Sequence, residues 1–318
     1  MAHLPVTEPR HRPRSIFIPP PPRLQAQPPG PTRWAGGIAE FADDYDLWLV
    51  DQWGVLHDGT RPFPGVVDAL QHLKSRGKRV IVLSNSGKRV AANVARLTAM
   101  GISASCYSTL MTSGELARTK LSEHAPPFDQ VAGHRCLLLG SDRGNSLLDG
   151  LAVEHVALIS QADFILLTGI DDDLPRGDYQ AIFELGSARG LPLICANPDL
   201  VRVTERGTLP SAGEFARLYE ELGGTVHYIG KPYPDIYRAC LQQDGSGQTG
   251  RAIAIGDSMF HDIIGGNRAG LATAFVTGGI HAPEFEGTRN DAERLERVRE
   301  LARDYGATPD WTIPAFRW

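Results

Sequence analysis

The sequence predicts an α/β protein: a mostly parallel, Rossmann-like sheet core with a smaller α/β unit inserted into it. Three observations carry this expectation. From Tyr45 onward, short aliphatic runs alternate with amphipathic helical stretches, the pattern of βα units around a parallel sheet. The middle third of the chain has strands and helices of its own, after which the first rhythm resumes. Several apolar runs end abruptly on polar residues, as strands do when their carboxyl ends open onto a ligand crevice. With 318 residues and 42% hydrophobic content, the chain is long enough to bury such a core as one large domain or two modest ones.

The elements follow in order. Leu47-Trp48-Leu49-Val50 is the first clear strand, and it runs straight into Asp51. Residues 65–76 place Val66, Leu70 and Leu73 on one helical face, and Gly77 stands where a left-handed cap is wanted. RVIVLSNS at 79–86 is a second strand, followed by a helix over 89–100 that Gly101 closes in the same way. The middle unit contains CLLLG at 136–140, FILLTG at 164–169, a helix over 179–190 and LPLICAN at 191–197. The parallel rhythm then resumes with VHYIGK at 226–231, a helix through 236–241, AIAIGD at 252–257, a helical DIIGGNRAG and TAFVTGG at 273–279. These signals divide the chain into a Pro-rich arm (1–37), a core formed by 38–122 and 225–318, and an inserted cap (123–224). The arm is too rich in Pro, Arg and polar groups to offset the entropy of ordering, and its PPPP tract has the form of a ligand for an aromatic-lined domain.

Composition narrows the function. A formal charge of −5 leaves no basic stripe for a phosphate backbone, so nucleic acid is not the expected partner and small molecules fit better. Cys106, Cys136, Cys195 and Cys240 lie far apart with no C-x-x-C pair, which argues against a zinc site or a disulfide framework. No apolar run approaches the ~18 residues of a membrane span, and no apolar secretory leader opens the chain, so a cytoplasmic address is expected. The glycines of LLLGSDRGNSLLDG, at 140, 144 and 150, miss the spacing of a dinucleotide-binding turn.

Four expected strand ends carry polar groups: Asp51, Ser84-Asn85-Ser86, Gly230-Lys231 and Gly256-Asp257. Converging at one crevice, they would supply what phosphoryl transfer requires. One carboxylate attacks phosphorus and a second helps to hold Mg²⁺, while a hydroxyl and an ammonium neutralise the equatorial oxygens.

Asp51 with GVL just beyond it, Ser84-Asn85-Ser86, Gly230-Lys231-Pro232 and GDSMFHD at 256–262 resemble the four motifs of the haloacid dehalogenase superfamily. The long insert with ANPD at 196–199, together with GKPYPDIY and the closing DWTI, resembles its class IIA, NagD-like phosphatases, which carry a large α/β cap. The resemblance spans about residues 44–314. It implies that Asp51 is a nucleophile forming an aspartyl-phosphate, that Ser84 and Asn85 bind the phosphoryl group, and that Lys231 bridges that group to Asp51. It also implies Mg²⁺ held by Asp51, Asp257 and the carbonyl of Trp53, with Asp262 acting through water. Asn197 and Asp199 are the cap residues expected to touch a small phosphorylated metabolite, and caps of this class often join in homodimers.

The resemblance departs at the first motif. Most phosphatases of the superfamily read D-x-D there, the second Asp being the acid and base, whereas this chain reads Asp51-Gln52-Trp53. Acid–base help is worth about 10²–10⁴ in rate. The sequence therefore points to hydrolysis that is slow on poor leaving groups, with His57 and Asp58 as the nearest replacements. The alternative is a weak or inactive module that binds a phosphorylated metabolite without turning it over.

Overall fold

A computed structural model describes residues 31–131, 133–140, 147–204, 207–244 and 251–318. The first part of the chain lays down strands β1 (Arg33–Trp34), β2 (Leu47–Asp51), β3 (Arg79–Ser84) and β4 (Thr109–Thr112), with helices α1 (Val66–Ser75), α2 (Val90–Ala99) and α3 (Ser113–Ser122). The insert supplies β5 (Arg135–Leu139), β6 (Glu154–His155), β7 (Phe164–Leu167), α4 (Arg176–Ala188), β8 (Pro192–Cys195), a hairpin of β9 (Val201–Thr204) and β10 (Gly207–Pro210), α5 (Ala212–Glu221) and β11 (Thr225–Tyr228). The return contributes α6 (Pro234–Asp244), β12 (Ala252–Gly256), α7 (Ile264–Arg268), β13 (Ala272–Val276), α8 (Asp291–Tyr305) and β14 (Trp311–Ile313).

Seven strands form the core sheet in the order β1-β14-β13-β12-β2-β3-β4, and every pair in it is parallel. β2 and β12 are buried on both faces, which is why they read as unbroken apolar runs and not as alternating ones. On one face Trp48, Val50 and Val82 pack with Val66, Leu70 and Leu73 of α1. On the other, Leu47, Leu49 and Leu83 pack with Leu116 of α3 and Tyr237 of α6, in a cluster that continues to Phe164, Leu166 and Ile194 of the insert. Gly77 and Gly101 hold the expected left-handed caps, with φ of +69° and +96°.

The site is positioned by the connections at the centre. From β2 the chain proceeds to β3 on one side, and from β12 to β13 on the other. The two routes diverge, so a crevice opens between the carboxyl ends of β2 and β12. The insert has its own parallel sheet, ordered β11-β8-β7-β5-β6, and packs Ile165 and Leu193 on Tyr179, Phe183, Phe215 and Tyr219 of α4 and α5.

Two boundaries differ from the sequence expectation. VHYI does not resume the core sheet: β11 pairs with β8 and forms the edge of the insert's sheet, so the return to the core falls after Tyr228. Its side chains are only half-buried or exposed, which fits an edge strand of either sheet, and only long-range pairing decides between them. Residues 31–37, assigned to the arm, belong to the folded core, where β1 pairs with β14 and Thr32 and Ala35 are buried. The rest of the arm, residues 1–30, and residues 141–146 of the glycine-bearing stretch lie outside the described residues. All four cysteines are buried and free, and no helix among the described residues is long and apolar enough to cross a membrane.

Candidate active site

Asp51 is the last residue of β2 and Asp257 follows β12. Because Val50 pairs with Ile255, the two carboxylates leave adjacent strand ends. Asp262 comes from the π turn over Met259–Ile263, and its Oδ2 accepts the Ser258 N–H at 3.1 Å. Oxygens of Asp51, Asp257 and Asp262 all lie within 4.8 Å of one another, and all three residues are buried. Lys231, just after the insert, reaches into this group. Its Nζ donates to Oδ1 of Asp51 at 2.5 Å and to Oδ1 of Asp262 at 2.7 Å.

One ammonium cannot balance three buried carboxylates. Burial raises the pKa of Asp51 well above the carboxylate range, with Lys231 opposing the shift and Asp262 and Asp257 adding to it. Burial, then the charge of Asp262, pushes Asp257 up to about 7. Burial pulls Lys231 down, but Asp262 and Asp51 outweigh it and hold its pKa well above that of an ordinary lysine. The cluster is thus short of positive charge. Backbone crowds it closely: a Cβ on Gly54, at φ +76°, would fall 1.9 Å from Oδ2 of Asp257, and one on Gly279 would fall 2.0 Å from it. Ile280 N–H donates to the same oxygen at 2.7 Å.

Ser84 ends β3 beside Asp51 and is 5% exposed, and its Oγ accepts the Ser86 N–H at 3.2 Å. The side-chain amide of Asn85, expected near the phosphate, is engaged within the protein. Its Oδ1 accepts from Lys231 N–H (2.7 Å) and Ser113 Oγ (3.2 Å), while its Nδ2 donates to Lys231 O (3.0 Å) and Asp199 Oδ1 (2.8 Å). That exhausts its side chain, which acts as a bracket holding the Lys231 backbone and tying it to the insert. Asn197 and Asp199 stand together after β8, with Asp199 N–H donating to Asn197 Oδ1 at 3.3 Å. Of the two, Asp199 is the one that reaches the core.

The Trp53 indole turns into the loop that carries it. It packs on Gly59, where a Cβ would fall 2.1 Å from the ring, meets His57 edge-on at 5.2 Å, and lies under the Arg96 guanidinium at 5.1 Å. Arg96 also donates to Gly59 O at 3.1 Å, fastening the loop to α2. Gly54 against Asp257 brings the adjoining 53–54 peptide to the carboxylates.

His57 and Asp58, the expected replacements for the missing acid, both make hydrogen bonds within their own loop. His57 is fully buried, accepts Gly59 N–H on Nδ1 at 2.9 Å, and is pushed down to about 4 by burial and then by Arg96, so at neutral pH it has no acidic proton to give. Asp58 accepts from Thr60 N, Thr60 Oγ1 and Arg61 N, bonds that close a turn and hold its carboxyl far below the usual range. An ionised carboxylate of that kind is no proton donor.

Two residues went unnoticed in the sequence. Ser113, directly after β4, is another strand-end hydroxyl and is fully buried against Asn85. Its signal was the strand, which the sequence reading did not identify. His261 sits inside GDSMFHD with its Nε2 3.7 Å from Asp199 Oδ1.

Comparison with known proteins finds hydrolase relatives along most of the chain. Residues 48–154 match a family described as haloacid dehalogenase-like hydrolase, and residues 228–303 match one described as HAD-hydrolase-like. The chain is 25% identical over 246 residues to a D-glycerol 3-phosphate phosphatase of Mycobacterium tuberculosis, a match covering 77% of this chain and 66% of that protein. It is 26% identical over 282 residues to a 4-nitrophenylphosphatase of Schizosaccharomyces pombe, covering 84% of this chain and 92% of that one. Among solved structures, a haloacid dehalogenase-like hydrolase from Brucella suis 1330 superposes with a TM-score of 0.74 at 28% identity, covering 89% of this chain and 99% of that chain.

Proposed function

Because this chain belongs to the haloacid dehalogenase-like hydrolases, in their NagD-like branch, we propose that it is a phosphatase-type hydrolase cleaving a small phosphorylated metabolite through an aspartyl-phosphate on Asp51. The observation that carries the reading is the Lys231 ammonium set between Asp51 and Asp262, with Asp257 on the neighbouring strand end.

A carboxylate oxygen of Asp51 attacks phosphorus as the bond from phosphorus to the leaving oxygen breaks. Water then attacks the phosphorus of the aspartyl-phosphate, releasing inorganic phosphate and restoring the carboxylate. Lys231 aims the Asp51 carboxylate by its 2.5 Å hydrogen bond and offsets charge on the transferring group, while Ser84 offers a hydroxyl from the next strand end. The insert excludes water from the strand ends.

The donors fit a hard divalent cation such as Mg²⁺. They are oxygens only, three carboxylates sit within 4.8 Å, and a single lysine leaves them under-neutralised. Asp51, Asp257 and the Trp53 carbonyl would hold it directly, and Asp262 through water, since its oxygens already accept from Lys231 and Ser258. When bound, the cation supplies the positive charge that lets a phosphate dianion approach these carboxylates. With indole at position 53 and both His57 and Asp58 engaged elsewhere, leaving groups that depart without a proton are favoured.

The test is hydrolysis of acetyl phosphate and p-nitrophenyl phosphate with Mg²⁺ or with EDTA. Release of phosphate only with Mg²⁺ is expected. Tight binding of phosphate analogues without turnover of any ester would move the reading to a metabolite-binding module.

A further inference from the structure

A hydrogen-bonded relay runs from the insert to the lysine that grips Asp51. Asp199 is fixed within the insert: its carbonyl accepts Gly213 N–H from the first turn of α5 at 2.9 Å, and its own N–H donates to Asn197 Oδ1 at 3.3 Å. Its Oδ1 accepts from Asn85 Nδ2 at 2.8 Å, whereas His261 Nε2, at 3.7 Å, lies beyond hydrogen-bond range of that oxygen. The buried Asn85 amide then holds both polar groups of Lys231's backbone, Oδ1 accepting its N–H at 2.7 Å and Nδ2 donating to its carbonyl at 3.0 Å. Ser113 Oγ donates to the same Oδ1 at 3.2 Å. The residue before the lysine is gripped as well. Gly230 has φ +135°, and a Cβ on it would fall 2.7 Å from both Asn85 Oδ1 and Pro198 Cδ. The turn at 197–199 therefore bears on the place where the chain leaves the insert and enters the active site.

The chemistry of the carboxylate decides which way the amide faces. An ionised carboxylate only accepts, so it admits the Asn85 NH₂ group and excludes its oxygen. In that orientation Oδ1 is left for the Lys231 N–H, while the flipped amide would set a donor against a donor. We propose that Asp199 is a positioning residue: through Asn85 it fixes the Lys231 backbone so that the ammonium aims Asp51 when the insert is seated on the strand ends. The proposal rests on the phosphatase reading above and adds how its lysine is placed. Lys231 Nζ sits between Asp51 at 2.5 Å and Asp262 at 2.7 Å, so a small shift of its backbone withdraws the charge from the nucleophile. The state that excludes water is then also the state that braces the lysine.

Hydrogen–deuterium exchange of the full chain with Mg²⁺ reads the Lys231 N–H without turnover. In Asp199→Ala the stretch 229–233 is expected to exchange about fivefold faster than in wild type while β3 is unchanged, and Asp199→Asn, which keeps an acceptor for Asn85, should return most of the protection. Kinetics supply the second readout. Asp199→Ala should lower kcat about fivefold with KM within about twofold, and by the same factor for acetyl phosphate and p-nitrophenyl phosphate, because the lost contact lies behind the lysine and not on either leaving group. In an Asn85→Ala background, Asp199→Ala should cost nothing further. Unchanged exchange at 229–233, or acceleration shared by β3, would overturn the proposal. So would a loss confined to one ester or to KM, or additive losses in the double variant. Hydrolysis of p-nitrophenyl phosphate by the wild type separates the two levels: it persists if only the relay fails and is absent if the phosphatase reading fails.

Discussion

Lys231 donates from Nζ to Oδ1 of Asp51 over 2.5 Å, joining a residue that follows the insert to the end of a strand laid down 180 residues earlier. Both groups are buried, and the same ammonium serves Asp262. The relationship explains why an apolar strand can end on a carboxylate. The charge is held by a partner, and removal of that partner should be costly.

Lys231→Met tests this. It leaves Asp51 and Asp262 buried without their cation, and breaking a buried pair from one side costs about 3–5 kcal/mol. Urea denaturation of the metal-free variant should show a loss of that order together with abolished hydrolysis. A stability equal to wild type would mean that the ammonium does not neutralise the cluster.

Metal should act on the same charges. Saturating Mg²⁺ is expected to raise the melting temperature by about 3–8 °C, and Asp257→Asn should remove that shift. The sign of the pH dependence follows from Asp257, whose folded-state pKa is pushed up to about 7. Its protonated form is favoured in the fold, so its stabilising contribution is present in acid and is lost as pH rises through about 7. The Mg²⁺ shift should accordingly be larger at pH 8 than at pH 5.5, and metal-free Asp257→Asn should melt higher than metal-free wild type at pH 8. A shift independent of pH would contradict this assignment.

His57 sets a second pH dependence, of opposite sign. Buried and pushed down to about 4, it stays neutral in the fold while the unfolded chain takes up a proton near pH 6.5. Stability is therefore lost as pH falls through that window, by about 2 kcal/mol between pH 7 and pH 5. His57→Gln should flatten this part of the urea-denaturation profile, and an unchanged profile would show that His57 takes up its proton as readily in the fold as in the unfolded chain.

Trp53→Asp restores a carboxyl at the departure from D-x-D. Hydrolysis of alkyl phosphates should rise by up to about two orders of magnitude, and the dependence of rate on leaving-group pKa should flatten. The indole also clamps its loop through Gly59, His57 and Arg96, so circular dichroism must first show the variant folded. A folded variant with the leaving-group dependence of wild type would mean that the proton comes from another group.

Much of this arrangement was readable in advance, for a definite physical reason. β2, β3 and β12 are buried on both faces and announce themselves as unbroken apolar runs, so Asp51, Ser84 and Asp257 could be placed at strand ends from pattern alone. Lys231 and Asp262 came from motif order. What was not readable depends on partners distant in sequence. Residues 225–228 fit an edge strand of either sheet until β8 is seen beside them. Arg33–Trp34 is a two-residue strand whose only signal is its pairing with β14. Nothing local reveals that Lys231, Ser113 and Asp199 use the Asn85 side-chain amide completely. The burial that holds His57 below its usual pKa is likewise a property of the fold and not of its neighbours in sequence.

The covalent role of Asp51 is tested most directly by acid quench during steady turnover of ³²P-labelled acetyl phosphate with Mg²⁺, comparing wild type with Asp51→Asn. The account expects acid-stable, hydroxylamine-sensitive label on the wild-type chain, no label on the variant, and a fall in turnover of about a thousandfold or more. Label or undiminished turnover in Asp51→Asn would contradict it.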